Sequence, residues 1–376
     1  MNDRGTDVKS QQIKLTTQGS AIVVGASLSG LMTGIALAHE GWHVTILERV
    51  GSKPRSGAVL QVDSGDIDQN MTAKKLRQLA SGGLKSAEAW SSVQSRLLAE
   101  AKANPRINLR YETRISKVDQ DQYIASVVTE KNEVVNADIV IGADGHNSIV
   151  RTHVAPNKPN AIFSGYMIWV AVLHETNVSK KNRPSLNAPT INMPNGIGDF
   201  LLGSIIPGED GSRALNERRL GWAWYDNTRN DLLRKLECVE GTLVRHSLNA
   251  PEIPEQTLKE LAEQASARWP QPWLEATLHS IRTRNLTGIP IAEYVPDNIV
   301  KGRIALVGDA AHVLTPLSTS GFNASLQDAS TLSNCIAKEL KNNSVTDALL
   351  EYESLRLKTV RQLVQAGQNF SRSFAR

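Results

Sequence analysis

The feature that most constrains this chain is an apolar run, Ser20 to Val24, that enters the turn Gly25-Ala26-Ser27-Leu28-Ser29-Gly30 and continues as the apolar-rich stretch Leu31 to Glu40. A short apolar run, a turn of small residues and a helix-length apolar segment read as strand, tight turn and helix. His43 to Glu48 is a second strand, so the unit is a βαβ motif of the expected size.

Each residue of the turn has a mechanical task. Gly25 permits the reversal, the small Ser27 lets backbone approach a pyrophosphate, and Gly30 with Gly34 lets the helix lie close to the sheet. Phosphates would then sit at the helix N-terminus, on the amides around Leu28, Ser29 and Gly30. Glu48, followed by Arg49, lies 18 residues after Gly30 at a strand end. Its carboxylate there accepts from both ribose hydroxyls of an adenosine and repels a 2′-phosphate, which suits FAD or NAD rather than NADP. Because Ser replaces the middle glycine, a plain βα turn is the other reading; Glu48 weighs against it.

Further along, residues 72 to 103 are rich in helix formers, and short strands are expected at 108–111, 115–118, 124–129, 134–136 and 139–142. The last enters Asp144-Gly145 and then His146-Asn147-Ser148-Ile149-Val150-Arg151, a strand-turn-helix corner that taken alone reads equally as an N-capped helix start. Residues 160 to 290 are strand-rich, with alternation over Tyr166–Leu173 and Leu220–Tyr225 and helical segments near 228–246 and 256–280. Trp222 and Trp224 share one strand face and Tyr225 takes the other, so one set lines an aromatic pocket or both pack the core. Arg303 to Val307 is a strand entering Gly308-Asp309-Ala310-Ala311-His312; Thr315-Pro316 and Gly321-Phe322-Asn323 follow, then helices over 323–340 and 344–373. Asp309 is placed to hold a ribityl hydroxyl, and the amides near Asn323 face a growing negative charge.

Composition removes several classes. Of 376 residues, 40% are hydrophobic and 21% charged, ordinary for a globular enzyme and long enough for two joined domains sharing a cleft. A net charge of +4 with both signs dispersed gives no nucleic-acid footprint. Cys238 and Cys335 are too few and too far apart for a disulfide framework or a metal site, which suits a reducing, cytoplasmic setting. The first nineteen residues are polar and mixed in charge, so a disordered tail is expected, and no run of about 18 apolar residues suggests stable membrane insertion.

The three motifs, in this order and spacing across residues 20 to 340, resemble the para-hydroxybenzoate hydroxylase-like family of single-component FAD-dependent monooxygenases. The resemblance implies an α/β fold: a Rossmann-type, glutathione-reductase-like FAD-binding domain from 20–160 and 285–340, a β-sheet-based substrate domain over 161–284 and C-terminal helices, the last over 341–376. By carry-over, Gly25, Ser27, Gly30 and Glu48 hold the adenosine diphosphate half of FAD. Asp144 and Gly145 touch FAD and the route of the nicotinamide. Gly308 and Asp309 reach the ribityl chain, Pro316 lies beside the flavin ring, and the amides of Gly321, Phe322 and Asn323 meet its pyrimidine end. Arg55 matches an arginine that reaches the pyrophosphate and helps receive NAD(P)H; the alternative is a solvated loop arginine.

The implied reaction is hydroxylation of a small electron-rich aromatic or N-heteroaromatic substrate with NAD(P)H and O2 through a C4a-hydroperoxyflavin, by a monomer or homodimer. Pro316, His312 and Tyr166 are the catalytic candidates; His312 or Tyr166 would accept a proton from the ring, or serve structure instead. Gly165-Tyr166, Trp169, Pro207–Gly211 and Arg219–Tyr225 look most like the dihydroxypyridine hydroxylase branch. Three departures stand out: Thr319 where the family usually has glycine, a short stretch between Val62 and Ala89, and Trp90 where relatives carry a flavin-contacting Arg or Gln. The alternatives are a flavin monooxygenase or reductase acting on a non-aromatic substrate, and a non-catalytic FAD-binding protein.

Overall fold

The computed structural model describes residues 19–51, 59–62, 70–83, 87–184, 190–192, 199–339 and 344–375. The expected N-terminal tail up to residue 18, and Arg55, lie outside the described residues.

The chain opens with β1 (Ser20–Val24), α1 (Leu28–His39) and β2 (His43–Leu47), the expected βαβ unit. α1 begins at Leu28 rather than Leu31, because Ser27 is already extended as its N-cap (φ −80°, ψ −175°). Gly34 brings this helix onto β2: a Cβ there would lie 2.7 Å from Ile46 Cδ1. A three-residue hairpin, Val59–Gln61 with Ala87–Ala89, brackets α2 (Met71–Ser81) and precedes α3 (Trp90–Ala103). β3 (Ile107–Arg110) joins the first sheet, a meander over Ile115–Ala137 follows, and β4 (Ile139–Gly142) leads into α4 (Ile149–Val154).

A second sheet holds β5 (Ile162–His174), β6 (Phe200–Ile206), β7 (Arg219–Asp226) and β8 (Thr287–Glu293), in the order β6-β7-β5-β8 with Thr190–Asn192 outside β6, all antiparallel. β8 lies past the boundary expected at 284, because the 13-residue β5 needs a partner on its outer side and finds it 120 residues downstream. The helical segment expected over 228–246 shrinks to Asn230–Lys235; Gly241, at φ +58°, turns the next stretch into a small hairpin. The segment near 256–280 is two helices, Glu255–Arg268 and Trp273–Arg282.

The chain then returns to the first sheet as β9 (Ile304–Leu306) and ends in α5 (Gly321–Glu339) and α6 (Val345–Phe374). The first sheet runs Val300–Lys301, β9, β4, β1, β2, β3, parallel apart from its first pair. In its register Val24, Gly142 and Leu306 stand side by side, so β1, β4 and β9 end at one edge.

The second sheet buries both faces. Trp222 and Trp224 pack beneath the helices with Trp269 and Trp273, which settles their role as core. The opposite face carries Tyr166, Phe200 and Tyr225, with Phe374 of α6 and Leu317 against it. Phe200 and Tyr225 stack at 4.4 Å, and Phe374 meets Tyr166 edge-on at 5.2 Å. Upstream, α6 passes Thr315 at Gly367, where a Cβ would come within 2.4 Å of Thr315 Cγ2.

Candidate active site

The row Val24, Gly142, Leu306 delivers all three sequence motifs to one edge of a parallel sheet, the position where open α/β sheets bind ligands. At the first, Gly25 has φ +106° and a Cβ on it would lie 2.4 Å from Ala143 O, so only glycine fits. A Cβ on Gly30 would fall 1.9 Å from Gly25 O. α1 therefore starts tightly folded on its own turn, with no capping side chain and no acid in its first turn. That leaves the positive end of its dipole and its first amides for an anionic ligand. Glu48 is buried beneath the turn: Oε2 accepts from Ala26 N at 2.8 Å and Oε1 from Val50 N at 3.1 Å. Arg49, next in the chain, is exposed. From α3, Gln94 Nε2 donates to Ala26 O at 3.3 Å, one helical turn past the half-buried Trp90.

At the second motif, the Asp144 carboxylate accepts from Ser148 Oγ (2.5 Å), Ile149 N (2.7 Å) and Val150 N (3.3 Å). The N-cap of α4 is Ser148, whose Oγ accepts from Arg151 N at 2.9 Å, and the Asp144 carboxylate braces the same helix start; its carboxyl is pushed up by burial, against those hydrogen bonds. What the corner presents outward is backbone at Gly145, where φ is +81° and a Cβ would meet nothing within 4 Å. His146 has a buried Nε2 without a partner among the described residues, and burial lowers its pKa.

Sequence reasoning missed Arg151. It is fully buried, with Nε on Pro159 O (2.7 Å), Nη1 on Asp309 O (3.2 Å) and Ala310 O (3.1 Å), Nη2 on His146 O, and the Tyr294 ring 4.4 Å from Cζ. It ties the second motif to the third. No local pattern announces it, because its acceptors are main-chain oxygens, two of them 158 and 159 residues away.

The third motif is built around Asp328 of α5. Its Oδ2 accepts from Gly308 N (2.9 Å) and pairs with His312 Nε2 (2.6 Å), while Oδ1 takes Arg356 Nε of α6 (2.8 Å). These partners outweigh burial and hold Asp328 down at about 2. Gly308 stands at φ +57°, which turns Asp309 outward. The Asp309 side chain keeps a solvent-facing side, yet the protein around it removes enough water to push its carboxyl up, against the pull of His146, His312 and Arg151. Pro316, Thr319 and Gly321 line an open stretch: the first two are exposed, and a Cβ on Gly321 would meet nothing within 4 Å. Phe322 is buried, and Asn323 Oδ1 accepts from Arg77 Nη1 (2.8 Å), an α2 contact that fixes the start of α5.

Two catalytic candidates are engaged elsewhere. His312 is buried on Asp328, and Tyr166 OH lies 2.7 Å from Thr315 Oγ1, with burial raising its pKa. Each therefore has a partner within the fold, while His312 Nδ1 is buried without one among the described residues. A cavity of about 1200 Å³ runs along the edge of β5 and β8, bordered by Ser91, Val170, Val172, Arg219 and Ile289. It touches none of Gly25, Asp144, Asp309 or Pro316, and Ser91, next in the chain to Trp90, is among its lining residues. Arg219 is held there by Pro207 O (2.9 Å) and Ser92 Oγ (3.0 Å).

The residues present fit a flavin dinucleotide: an uncapped helix end, a buried carboxylate under it, and two glycines, Gly145 and Gly321, with open space where a side chain would stand. Among the described residues, no helix is long and apolar enough to cross a membrane.

Comparison with known proteins agrees with this geometry. The model of a family described as FAD binding domain matches residues 70–367. An FAD-dependent urate hydroxylase of Klebsiella pneumoniae is 24% identical over 385 residues, covering 92% of this chain and 87% of its own. A 2,6-dihydroxypyridine 3-monooxygenase of Paenarthrobacter nicotinovorans is 24% identical over 362 residues, covering 89% and 86%. The structure of 2,6-dihydroxypyridine-3-hydroxylase from Arthrobacter nicotinovorans superposes with a TM-score of 0.75 at 21% identity, over 94% of this chain and 92% of that one.

Proposed function

Since the chain belongs to the FAD binding domain family, we propose that this flavoprotein monooxygenase hydroxylates a small electron-rich aromatic or N-heteroaromatic ring, with NADH or NADPH as reductant and dioxygen as oxidant. The observation that carries the reading is the convergence of three motifs at the adjacent ends of β1, β4 and β9.

In this reading FAD is held by the amides of Leu28, Ser29 and Gly30 at its pyrophosphate, by Glu48 at the adenosine ribose, and by Asp309 at the ribityl chain. The backbone of Gly145 and of Gly321 to Asn323 approaches its ring system, and Pro316 closes one side. When bound, the flavin supplies the redox chemistry of hydride acceptance and oxygen activation. The protein's share is to place the ring and exclude water. The second sheet's face beside Leu317 and the cavity bordered by Ser91, Val172 and Arg219 provide an apolar wall and a buried cation. A ring drawing on these walls carries an anionic or ionisable oxygen. With His312 and Tyr166 engaged, the substrate class that needs least help is one whose ring hydroxyl ionises readily, such as a hydroxypyridine or an oxopurine. The names of the urate and dihydroxypyridine relatives fall in that class. A cytoplasmic setting fits the two buried free thiols, Cys238 and Cys335.

The test is a panel of hydroxypyridines, phenols and oxopurines offered to FAD-loaded protein with NADH or NADPH, following oxygen uptake and product mass. One member should stimulate both NAD(P)H oxidation and oxygen uptake and gain 16 mass units, about one oxygen atom. A preparation that takes up no FAD, or oxygen uptake that no ligand stimulates, overturns the reading.

A further inference from the structure

Thr319 stands in the left-handed region, at φ 50° and ψ 9°, as the C-cap of the short turn Pro316–Ser318. Glycine and asparagine visit this conformation readily, whereas a β-branched residue there is an outlier that persists only where the surroundings impose it. Such outliers gather at functional sites, where the strain is part of what the site does.

The surrounding hydroxyls show what is different about this one. Thr315 Oγ1 is 2.7 Å from Tyr166 OH, Ser318 Oγ donates to Thr315 O, Ser320 Oγ to Ser318 O, and Ser325 Oγ to Gly321 O. Each is engaged within the protein. Among the described residues Thr319 Oγ1 has no hydrogen-bond partner, and its side chain is exposed between Pro316, also exposed, and Gly321, where a Cβ would meet nothing within 4 Å. The backbone is held as well: Thr319 N donates to Pro316 O at 3.0 Å, and Leu317 packs on the second sheet. A strained residue is thus left with an exposed hydroxyl that no described group of the protein engages.

We propose that Thr319 is a positioning residue whose hydroxyl hydrogen-bonds the isoalloxazine of bound FAD, and that the left-handed backbone is what directs it there. The inference rests on the proposed function and adds to it a contact that glycine at this position does not make. Thr319→Val keeps the shape and the branching while removing the hydroxyl. Thr319→Ser keeps the hydroxyl, and Thr319→Gly removes the hydroxyl and the strain together.

The experiment titrates each apoprotein with FAD, following flavin fluorescence, and measures the flavin reduction potential in the loaded proteins. Thermal melting of the apoproteins verifies folding. Thr319→Val and Thr319→Gly should each bind FAD about 3- to 10-fold more weakly than wild type, the span of one hydrogen bond, and shift the potential in a common direction. Thr319→Ser should stay within about 2-fold of wild type. If Thr319→Val does not fold, the Gly variant carries the test, since it relaxes the turn. Val and Gly variants matching wild type in affinity and potential overturn the proposal, and so does a Gly variant that binds more tightly, which would make the strain a simple defect. Wild type that takes up no FAD sinks the proposed function instead, so the two failures are distinguishable.

Discussion

Arg151 Nη1 donates to the main-chain oxygen of Asp309 at 3.2 Å, joining positions 158 residues apart in the chain. The guanidinium also reaches Ala310 O, Pro159 O and His146 O, so one buried cation fixes the ends of β4 and β9 relative to each other through neutral acceptors. Arg151→Met keeps the apolar bulk and strands those carbonyls. It should destabilise the fold by about 2 to 4 kcal/mol, several unmade hydrogen bonds being involved. Urea denaturation of the apoprotein reads this, and an unchanged midpoint would mean that the carbonyls find other partners.

Asp328 gathers Gly308 N, His312 and Arg356, and these hold its carboxyl at about 2. A carboxyl depressed in the folded state stabilises the protein above its unfolded value and loses that contribution as pH falls through the folded one. Asp328→Asn should therefore cost about 2 kcal/mol at neutral pH, and the gap to wild type should narrow below about pH 4. Urea midpoints at both pH values decide it; a gap independent of pH would assign the loss to shape and not to charge.

Asp309 is shifted the other way, its carboxyl raised by the protein around it. A raised carboxyl weakens the folded state at neutral pH, and the penalty fades as pH falls toward the ordinary carboxylate value of about 4. Asp309→Asn should accordingly raise the melting temperature of the apoprotein at pH 7, with the gain vanishing in mild acid. Asp309→Ala should weaken FAD binding by more than the about 1 to 3 kcal/mol expected for Glu48→Ala. Normal flavin content and turnover in Asp309→Ala would place this carboxylate away from the cofactor.

Gly321 gives the cleanest separation of fold from cofactor, because a Cβ there meets no protein atom within 4 Å. Gly321→Val should leave the apoprotein's melting temperature within about 2 °C of wild type, as for a surface change. It should lower the flavin reduction potential, removing part of the roughly 0.3 to 2 kcal/mol a helix N-terminus gives to negative charge. A redox titration beside wild type measures it, and an unchanged potential at full FAD occupancy would mean that this turn does not touch the flavin.

Local order made much of this legible in the sequence. The Gly25 turn, Gly34, Glu48 and the strand ends before Asp144 and Gly308 are declared by residue type and spacing, although the contacts they serve reach Ala143, Ile46 and Ala26. What stayed hidden is long-range or conformational. β5 pairs with β8 across more than a hundred residues, Arg356 reaches Asp328 from another helix, and Arg151 acts through oxygens that every residue has. Thr319 was visible as a departure from glycine, but only the backbone shows that the left-handed geometry is kept without it. For His312 and Tyr166 the sequence left catalysis and structure both open, because it does not show the contacts with Asp328 and Thr315.

α6 makes three of the contacts described above on one continuous helix: Arg356 on Asp328, Gly367 on Thr315, and Phe374 on the aromatic face of the second sheet. From the first to the last is about 27 Å of rod at 1.5 Å per residue. A rod has a phase as well as a length. One residue inserted between Arg356 and Gly367 would rotate everything beyond it by about 100°, turning a bulkier side chain against Thr315 and swinging Phe374 off its seat, while Arg356 stayed in place. The distance and orientation between the Gly308 turn and the second sheet are thus gauged by the helical pitch of the chain's last long element, together with the direct contact of Thr315 on Tyr166.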